Sequence, residues 1–431
     1  MLESILIKNV KLYTPYQGRL QALQGDLLIE NGYITEIGPN ITKSAQLILE
    51  EKGLSLLPGF VDSHVHFRNP GLSHKESWET AGKAALSGGV TTACDMPNTN
   101  PATTTQDLLD KKLAQAKEEC PIDVFGYIGA TTDNLDELQK ATQAVGIKIF
   151  VGSSTGNMLV DDQDSLEAIF AQTKGLICVH AEDESMVQEN AKRYQGSTDV
   201  EDHMRIRNPK AALKATQRVV DLALRHQRRT HILHITSKDE VAYLASLDKN
   251  PYITAEVCIP HLFCLAPDIY ESYGTFAQVN PPIRDKTHFD ALNYALTSGL
   301  FSQVSTDHAP HQKEEKQQSF GKAPSGMPSI QFAAPLLLDR ALTGHYSIEQ
   351  VINWYARIPA TLIQKPDRGA LSQGFLADMV LFDEKGITEL SKEPIHSKAK
   401  WHVFEDHKLT GRIIGTIKAG QLLFRESEFL I

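Results

Sequence analysis

Two histidines one residue apart, His64 and His66, end a short apolar run that begins after Pro58 and Gly59. Alternate side chains of a β-strand share one face, so the two imidazoles would project together if this run is a strand. Neutral imidazoles held side by side on a rigid backbone suit a divalent metal ion. The alternative is structural, with one histidine in the core and the other facing solvent, and the spacing alone leaves both open.

Polar residues also close other strand-like runs, and they are of types that bind metals or small polar ligands: Asn98, Lys148, His180, His234, Asn280 and Asp307. If the strands are parallel, their carboxyl ends meet at one rim, where barrels of alternating strands and helices place their active sites. A carboxylate at such a rim can be both ligand and proton carrier, although Asp307 could instead form a turn at a strand exit. The set is typical of a metal-dependent enzyme.

Lys148 lies inside an apolar run at residues 146–150, where a charge is costly unless it is paired or neutralised. A salt bridge to an acidic residue of the barrel is one interpretation. A desolvated lysine is also easily deprotonated. Its amine can then be carboxylated by carbon dioxide, which gives an anionic bridge between two metal ions.

The middle of the chain alternates strand-like and helical patterns, which predicts parallel strands linked by helices. The candidate strands are 59–66, 90–96, 122–128, 146–150, 176–180, 230–235, 252–259 and 303–307. Apolar residues at helical spacing predict helices at 107–119, 135–145, 164–173, 209–228 and 238–247. Eight strands indicate an α/β fold, a (β/α)8 barrel of the TIM type, over residues 58–365. We expect segments 1–57 and 366–431, with their short apolar runs and turns, to pair in one small β-sandwich domain.

The bulk composition narrows the class of protein. The chain has 431 residues, 41% of them hydrophobic, with a formal net charge of -10 and a pI near 5.9. Such a charge attracts neither nucleic acid nor an anionic membrane surface, so we expect neither as a partner. Five cysteines without a Cys-x-x-Cys pair indicate reduced thiols in the core. No basic region precedes an apolar stretch at the start, and no segment approaches membrane-spanning length, which predicts a cytoplasmic enzyme or binding protein.

Several motifs together carry a family resemblance, at residues 62–71, 96–99, 279–282, 306–311 and 374–378. With them the chain resembles the dihydroorotases, in the cyclic amidohydrolase branch of the amidohydrolase superfamily, over essentially its whole length. The resemblance implies reversible cyclisation of N-carbamoyl-L-aspartate to L-dihydroorotate in pyrimidine synthesis. It also implies two zinc ions, one held by His64, His66 and Asp307, the other by His180 and His234, with carboxylated Lys148 as the bridge.

The resemblance further implies how the substrate is handled. Asp307 would move a proton from the attacking water to the leaving amide nitrogen. The substrate carboxylate would be held by the forked donor of Arg68, together with Asn98 and His311. Weaker implied contacts to the substrate come from Asn280, Ser325 and Gly326.

One part of the chain departs from the family pattern. Many dihydroorotases of this branch carry Asp-Asp-Gly after the fourth strand and bridge their metals with an aspartate. That motif is missing after residue 150, so we favour Lys148 as the bridge and keep Asp161 and Asp162 as alternatives. The loop has hydroxyls and flanking glycines instead, which predicts either a lid that hydrogen-bonds the substrate or a passive loop. The lid residues would be Ser153, Ser154 and Thr155.

Two other functions stay open at this point. A hydantoinase or allantoinase would use the same metals on a different ring, and Arg68 with Asn98 and His311 favours a carboxylate-bearing ring instead. A catalytically inactive scaffold relative would typically lack the metal ligands, which are all present here. Ligands of these types also accept manganese, cobalt or nickel. Exposed faces of the outer helices could support a homodimer.

Overall fold

The fold is described for residues 3–152, 158–247 and 250–431 of a computed structural model. In chain order the strands are β1 (Ser4–Tyr16), β2 (Arg19–Glu30), β3 (Tyr33–Gly38), β4 (Leu47–Glu50), β5 (Ser55–Pro58), β6 (Phe60–Val65), β7 (Val90–Asp95), β8 (Asp123–Gly126), β9 (Ile128–Gly129), β10 (Ile147–Phe150), β11 (Ile177–His180), β12 (Thr230–Ile232), β13 (Ile253–Cys258), β14 (Gln303–Ser305), β15 (Met379–Glu389), β16 (Lys408–Lys418), β17 (Gln421–Arg425) and β18 (Glu428–Phe429).

The α-helices complete the regular structure together with a few short helical turns of other types. They are α1 (Trp78–Ser87), α2 (Gln106–Glu119), α3 (Leu135–Lys140), α4 (Gln163–Gln172), α5 (Glu184–Arg193), α6 (Asp202–Ile206), α7 (Pro209–Arg225), α8 (Lys238–Ser246), α9 (Ile259–Phe263), α10 (Asp268–Tyr273), α11 (Lys286–Thr297), α12 (Lys313–Lys316), α13 (Ile330–Leu342), α14 (Ile348–Ile352) and α15 (Ile358–Leu362).

The two ends of the chain build one nine-stranded sheet in the order β18-β17-β16-β15-β5-β1-β2-β3, with β4 beside β1. Strand β5 pairs antiparallel with β15, so that Leu57 lies opposite Val380. Apolar residues of these strands, among them Ile7, Leu27 and Leu381, pack into a small core of their own. The predicted pairing of the two ends in a small β-sandwich is confirmed. The domain boundaries after residues 57 and 365 stay a prediction.

Parallel strands between these ends form the predicted (β/α)8 barrel. One run of strands has the order β14-β13-β12-β11-β10-β9 and the other β6-β7-β8. The two runs meet where β8 leads into β9 and where Val65 forms a parallel bridge to His308. The strands β6, β7, β10, β11, β12 and β14 are buried along their whole length, because helices cover the barrel from outside. Because both faces of these strands are buried, their sequences are continuous apolar runs and do not alternate between apolar and polar residues.

The connecting helices turn one apolar face toward the barrel, and α7 shows how the sequence achieves this. Its N-cap residue Asn208 accepts a hydrogen bond from the backbone N–H of Ala211, and Pro209 occupies the first turn. Its buried residues recur at helical spacing, as at Ala215 and Val219. The helix predicted over 209–228 is therefore confirmed, although it ends at Arg225.

Two barrel strands end earlier than predicted, each just before a site residue. Strand β12 stops at Ile232 and β14 at Ser305. The residues His234 and Asp307 have φ angles of 37° and 47°, in the left-handed region that a strand cannot contain. The hydrogen-bonded strands therefore end before residues 234 and 307.

Two other elements differ in extent because tertiary contacts override local propensity. The helix predicted over 135–145 ends at Lys140, and beyond it the backbone N–H of Thr142 donates to Oε1 of Gln106. The strand predicted over 122–128 is divided, since β8 pairs with β7 whereas β9 pairs with β10. The two halves of this predicted strand, β8 and β9, thus pair with different strands, although together they fill one position in the barrel.

The described residues hold no helix with both the length and the apolar character that a bilayer crossing needs. All five cysteines are buried and free. The expected position of these thiols in the core is therefore confirmed.

Candidate metal centre

Three atoms of metal-ligand type converge at the carboxyl ends of β6 and β14. Oδ1 of Asp307 lies 3.3 Å from Nε2 of His64 and 3.0 Å from Nε2 of His66. The two histidines are buried, and the Asp307 side chain is 14% exposed. Ligand atoms of the three residues lie within 4.8 Å of one another, close enough to share one metal ion. Both histidines of the His-x-His pair face Asp307, although β6 ends at Val65, between them.

A second pair of histidines adjoins the first. Nδ1 of His180, at the end of β11, lies 2.9 Å from Nε2 of His234. The ring centroid of His234 is 5.5 Å from that of His64. The four histidines and Asp307 therefore form one continuous cluster at the rim where the parallel strands end.

Oxygen acceptors hold the ring nitrogens that face away from this cluster. The pairs are His64 Nδ1 with Glu256 Oε1 at 2.6 Å, His66 Nδ1 with Asn98 Oδ1 at 2.6 Å, and His180 Nε2 with Glu182 Oε2 at 2.9 Å. Such hydrogen bonds orient the rings of metal-binding histidines and fix which nitrogen carries the proton.

Protonation states make the cluster suitable for a cation. Burial lowers the pKa of His66 to about 4, against the raising effect of Asp307, and burial also lowers the pKa of His180. Both rings are thus neutral at physiological pH, and their outer N–H groups are already donated. Burial raises the pKa of Asp307, but surrounding basic groups led by His64 lower it more strongly, to about 2. Unprotonated nitrogens and an ionised carboxylate converge, a donor set that fits zinc and similar divalent ions.

Lys148 is buried in β10, next to Cys178 of β11, and is only 1% exposed. Its Nζ lies 4.4 Å from the ring centroid of Phe150, which is itself 5.9 Å from that of His180. Burial lowers the pKa of Lys148 to about 8, against the raising effect of Asp307. A substantial fraction of the amine is therefore neutral near physiological pH, as carboxylation requires.

The alternative bridging residues lie in a different environment. Asp161 and Asp162 are exposed, whereas every histidine of the cluster is buried. Asp162 caps α4, because its Oδ1 accepts a hydrogen bond of 2.8 Å from the backbone N–H of Ser165. The predicted lid at Ser153, Ser154 and Thr155 lies outside the described residues.

A buried basic pair stands beside the histidine cluster. Arg68 is 2% exposed, and its Nη2 lies 3.0 Å from Nε2 of His311. Its Nε donates to the carbonyl oxygen of Pro310 at 3.2 Å. Burial lowers the pKa of Arg68 to about 10, which leaves it charged at neutral pH. In the described part of the chain no carboxylate oxygen lies within 4.0 Å of this guanidinium, so the pair suits an anionic ligand.

Other predicted substrate residues lie around this pair. The carbonyl oxygen of Ser325 is 3.0 Å from Nε2 of His311. Gly326 has a φ of 133°, and a Cβ there would lie 2.5 Å from the carbonyl oxygen of Ala309, so glycine is required. Oδ1 of Asn280 is buried and makes no hydrogen bond to the described residues.

Sequence reasoning missed two buried carboxylates that support the histidines. Glu256 is fully buried, and its Oε2 lies 3.0 Å from Nε2 of His231 and 2.9 Å from Nε2 of Gln303. Burial opposes ionisation, but the imidazoles of His64 and His231 hold the pKa of Glu256 well below its usual range. Glu182 is likewise fully buried and accepts a hydrogen bond from Arg207.

Comparison with known proteins places the chain in a family. The sequence profile of the amidohydrolase family matches residues 55–423. A dihydroorotase from Methanosarcina acetivorans is 34% identical, over 94% of this chain and 88% of its own length. A dihydroorotase from Enterococcus faecalis is 31% identical, over 98% and 99%. The structure of an L-hydantoinase from Arthrobacter aurescens superposes with a TM-score of 0.93 at 26% identity, over 100% of this chain and 98% of that one. The chain therefore belongs to the amidohydrolase family.

Proposed function

We propose that the protein is a dihydroorotase, which closes N-carbamoyl-L-aspartate reversibly to L-dihydroorotate in pyrimidine synthesis. The observation that carries this proposal is the buried, charged guanidinium of Arg68 beside the histidine cluster. L-Dihydroorotate bears a carboxylate away from its reacting ring amide, whereas hydantoin and allantoin bear none. The relatives named dihydroorotase support the same reaction.

Two zinc ions belong to the proposal, with one set of side chains for each. His64, His66 and Asp307 would hold the first ion, His180 and His234 the second, and carboxylated Lys148 would bridge them. When bound, zinc polarises an amide carbonyl and lowers the pKa of water at the site. The deep burial of Lys148 and the neutral state of the buried histidines support this arrangement.

Asp307 carries the proton in the proposed reaction. In ring opening, water adds to the amide carbonyl carbon, and the ionised carboxylate takes up the proton that the water loses. It then delivers this proton to the amide nitrogen as the carbon–nitrogen bond breaks. Ring closure follows the same steps in reverse, so a single carboxylate serves both directions. The lowered pKa of Asp307 keeps its carboxylate ionised before the water attacks.

The remaining residues hold the substrate in place. Arg68 and His311 would bind its carboxylate, and Asn98 would add a donor while its amide oxygen orients His66. Further contacts are proposed for Asn280, whose Oδ1 has no partner in the described structure, and for Ser325 and Gly326.

Substrate turnover tests the proposal directly. With zinc and bicarbonate supplied, the purified protein is expected to hydrolyse dihydroorotate and to cyclise N-carbamoyl-L-aspartate. Arg68→Met should lower kcat/KM by about a hundredfold or more, since two hydrogen bonds to a charged group are lost. The matched control is Arg193→Met, because Arg193 is 65% exposed on α5 and pairs with Glu189.

Two results would point elsewhere. Efficient hydrolysis of hydantoin or allantoin without any action on dihydroorotate would establish the rival cyclic amidase, to which the hydantoinase structure is similar. A well-folded preparation that never binds zinc, even with metal and bicarbonate added, would support the inactive scaffold.

The proposal includes a cytoplasmic location and a homodimer. Five buried free thiols are typical of proteins kept in a reducing compartment. Cell fractionation tests the location, and sedimentation analysis tests the dimer.

A further inference from the structure

A lysine stands directly behind the proposed carboxylate-binding pair. Nζ of Lys75 lies 3.0 Å from Nδ1 of His311, on the side of the ring opposite to Arg68. We propose that Lys75 is a positioning residue that fixes the tautomer of His311, so that its Nε2–H group donates to the substrate carboxylate. This inference rests on the proposed function, because it assigns the partner that prepares His311 for that substrate.

The chemistry of the contact sets the tautomer. An ammonium group and a guanidinium group can only donate, and each lies 3.0 Å from one ring nitrogen, so a neutral ring can accept from only one of them. Burial, reinforced by the charge of Arg68, lowers the pKa of His311 to about 3, and the ring therefore carries a single proton. The carbonyl oxygen of Ser325 lies 3.0 Å from Nε2 and can only accept, which places that proton on Nε2 and leaves Nδ1 to accept from Lys75.

This tautomer leaves two donors side by side. Nη2 of Arg68 lies 3.0 Å from Nε2 of His311, and in this state neither nitrogen can accept from the other. A carboxylate oxygen beside both nitrogens would accept from Arg68 and would share the Nε2–H group of His311 with the carbonyl oxygen of Ser325. The donor pair therefore favours an anion at this point and disfavours a neutral group.

Neighbouring residues fix the positions of Lys75 and His311 through an ion pair and hydrogen bonds. Glu315 Oε1 lies 3.0 Å from Nζ of Lys75, whose side chain is 14% exposed. Nε2 of Gln312 donates to the carbonyl oxygen of Lys75 at 3.2 Å. The carbonyl oxygen of His311 accepts from Nε1 of Trp401 at 2.8 Å. Both partners of the contact are thus anchored through their own backbones.

Loss of the lysine would allow the other tautomer. Oε2 of Glu315 lies 3.8 Å from Nδ1 of His311 and could then attract a proton on that nitrogen. Nε2 would become an acceptor for Arg68, so the substrate would lose the histidine donor and compete for the arginine. Substrate binding should weaken while the chemistry at the metal cluster continues.

The test combines kinetics with nitrogen NMR. Lys75→Met is expected to raise KM for N-carbamoyl-L-aspartate about tenfold, with kcat changed less than about threefold, because a hydrogen bond to a remote charged group is lost. In protein with ¹⁵N-labelled histidine, the protonated nitrogen of His311 should move from Nε2 to Nδ1, and His311→Gln identifies the signal. Lys75→Arg, which also can only donate, should restore both KM and tautomer.

The control variant is Lys286→Met, since Lys286 is 74% exposed on α11 and pairs with Asp290. It should match the unmodified protein in KM and in the His311 signal. An unchanged KM and an unchanged tautomer in Lys75→Met would overturn the inference. Should the unmodified protein fail to act on dihydroorotate, the proposed function fails, while the nitrogen signal still decides the role of Lys75.

Discussion

Replacement of Glu256 by glutamine is the sharpest test of how the metal centre is supported. The carboxylate is fully buried, and it accepts a hydrogen bond of 2.6 Å from Nδ1 of His64. The glutamine side chain has nearly the same shape, so the change removes charge and leaves the packing in place. We expect weaker zinc binding in a protein that still folds.

The size of the effect follows from the hydrogen bonds. A bond to a charged group contributes about 1.5–3 kcal/mol and a neutral bond about 1 kcal/mol. Glutamine keeps a neutral bond to His64, so the orientation of that ligand loses about 0.5–2 kcal/mol, which is about 2- to 30-fold in zinc affinity. The new amide group faces Gln303, whose unpartnered Oε1 can turn to accept one N–H, and His231, whose Nε2 can accept the other when Nδ1 carries the proton toward Thr254. The free energy of unfolding should therefore fall by no more than about 1–3 kcal/mol.

Zinc affinity is measured by competition with chelators of graded strength, and the free energy of unfolding by urea denaturation. The matched control is Glu240→Gln, because Glu240 is also buried but accepts hydrogen bonds from Ser237 and Thr216 instead of a cluster histidine. The control should lose stability without losing zinc affinity. If Glu256→Gln retains the zinc affinity of the unmodified protein, the carboxylate does not support the ligand and the reasoning fails.

Two further predictions concern the cluster itself. Lys148→Ala should lose binuclear zinc binding and activity, and short carboxylic acids should restore part of both by supplying the missing anion; zinc stoichiometry and turnover measure this, and full activity in the variant would exclude the lysine bridge. Asp307→Asn should keep the fold, judged by thermal melting, and lose turnover by about 10²- to 10⁴-fold, since proton transfer disappears while side-chain volume hardly changes. Turnover close to that of the unmodified protein would remove Asp307 as the proton carrier.

The histidine cluster could be predicted because its signals are local and its geometry is shared. Apolar runs mark the strands, and parallel strands in a barrel must end at one rim. His64, His180 and Asp307 each follow or close such a run, so their meeting follows from topology. The exact ends of the strands could not be predicted from the sequence, because the left-handed backbone at Asp307 depends on contacts made elsewhere in the fold.

Some of the residues that support the site could be recognised from the sequence, and others could not. Glu256 lies inside a buried strand, as Lys148 does, so the cost of a charge in an apolar run marks both. Lys75 and Arg207 lie in polar segments, where a charged side chain is unremarkable. Lys75 meets His311 across 236 residues of sequence, and only the folded chain shows this contact.

The position of Glu256 also links the two halves of the metal centre. Its Oε1 accepts from the ring of His64 and, at 3.4 Å, lies near the backbone N–H of His234. His234 has a φ of 37°, a conformation that costs a non-glycine residue about 1–2 kcal/mol, so a contact to its backbone helps to hold it there. Asn98, in contrast, accepts at its Oδ1 from the ring of His66, a ligand of the first position. Loss of the Glu256 charge should therefore weaken zinc at both positions, whereas loss of the Asn98 amide should weaken the first position more than the second.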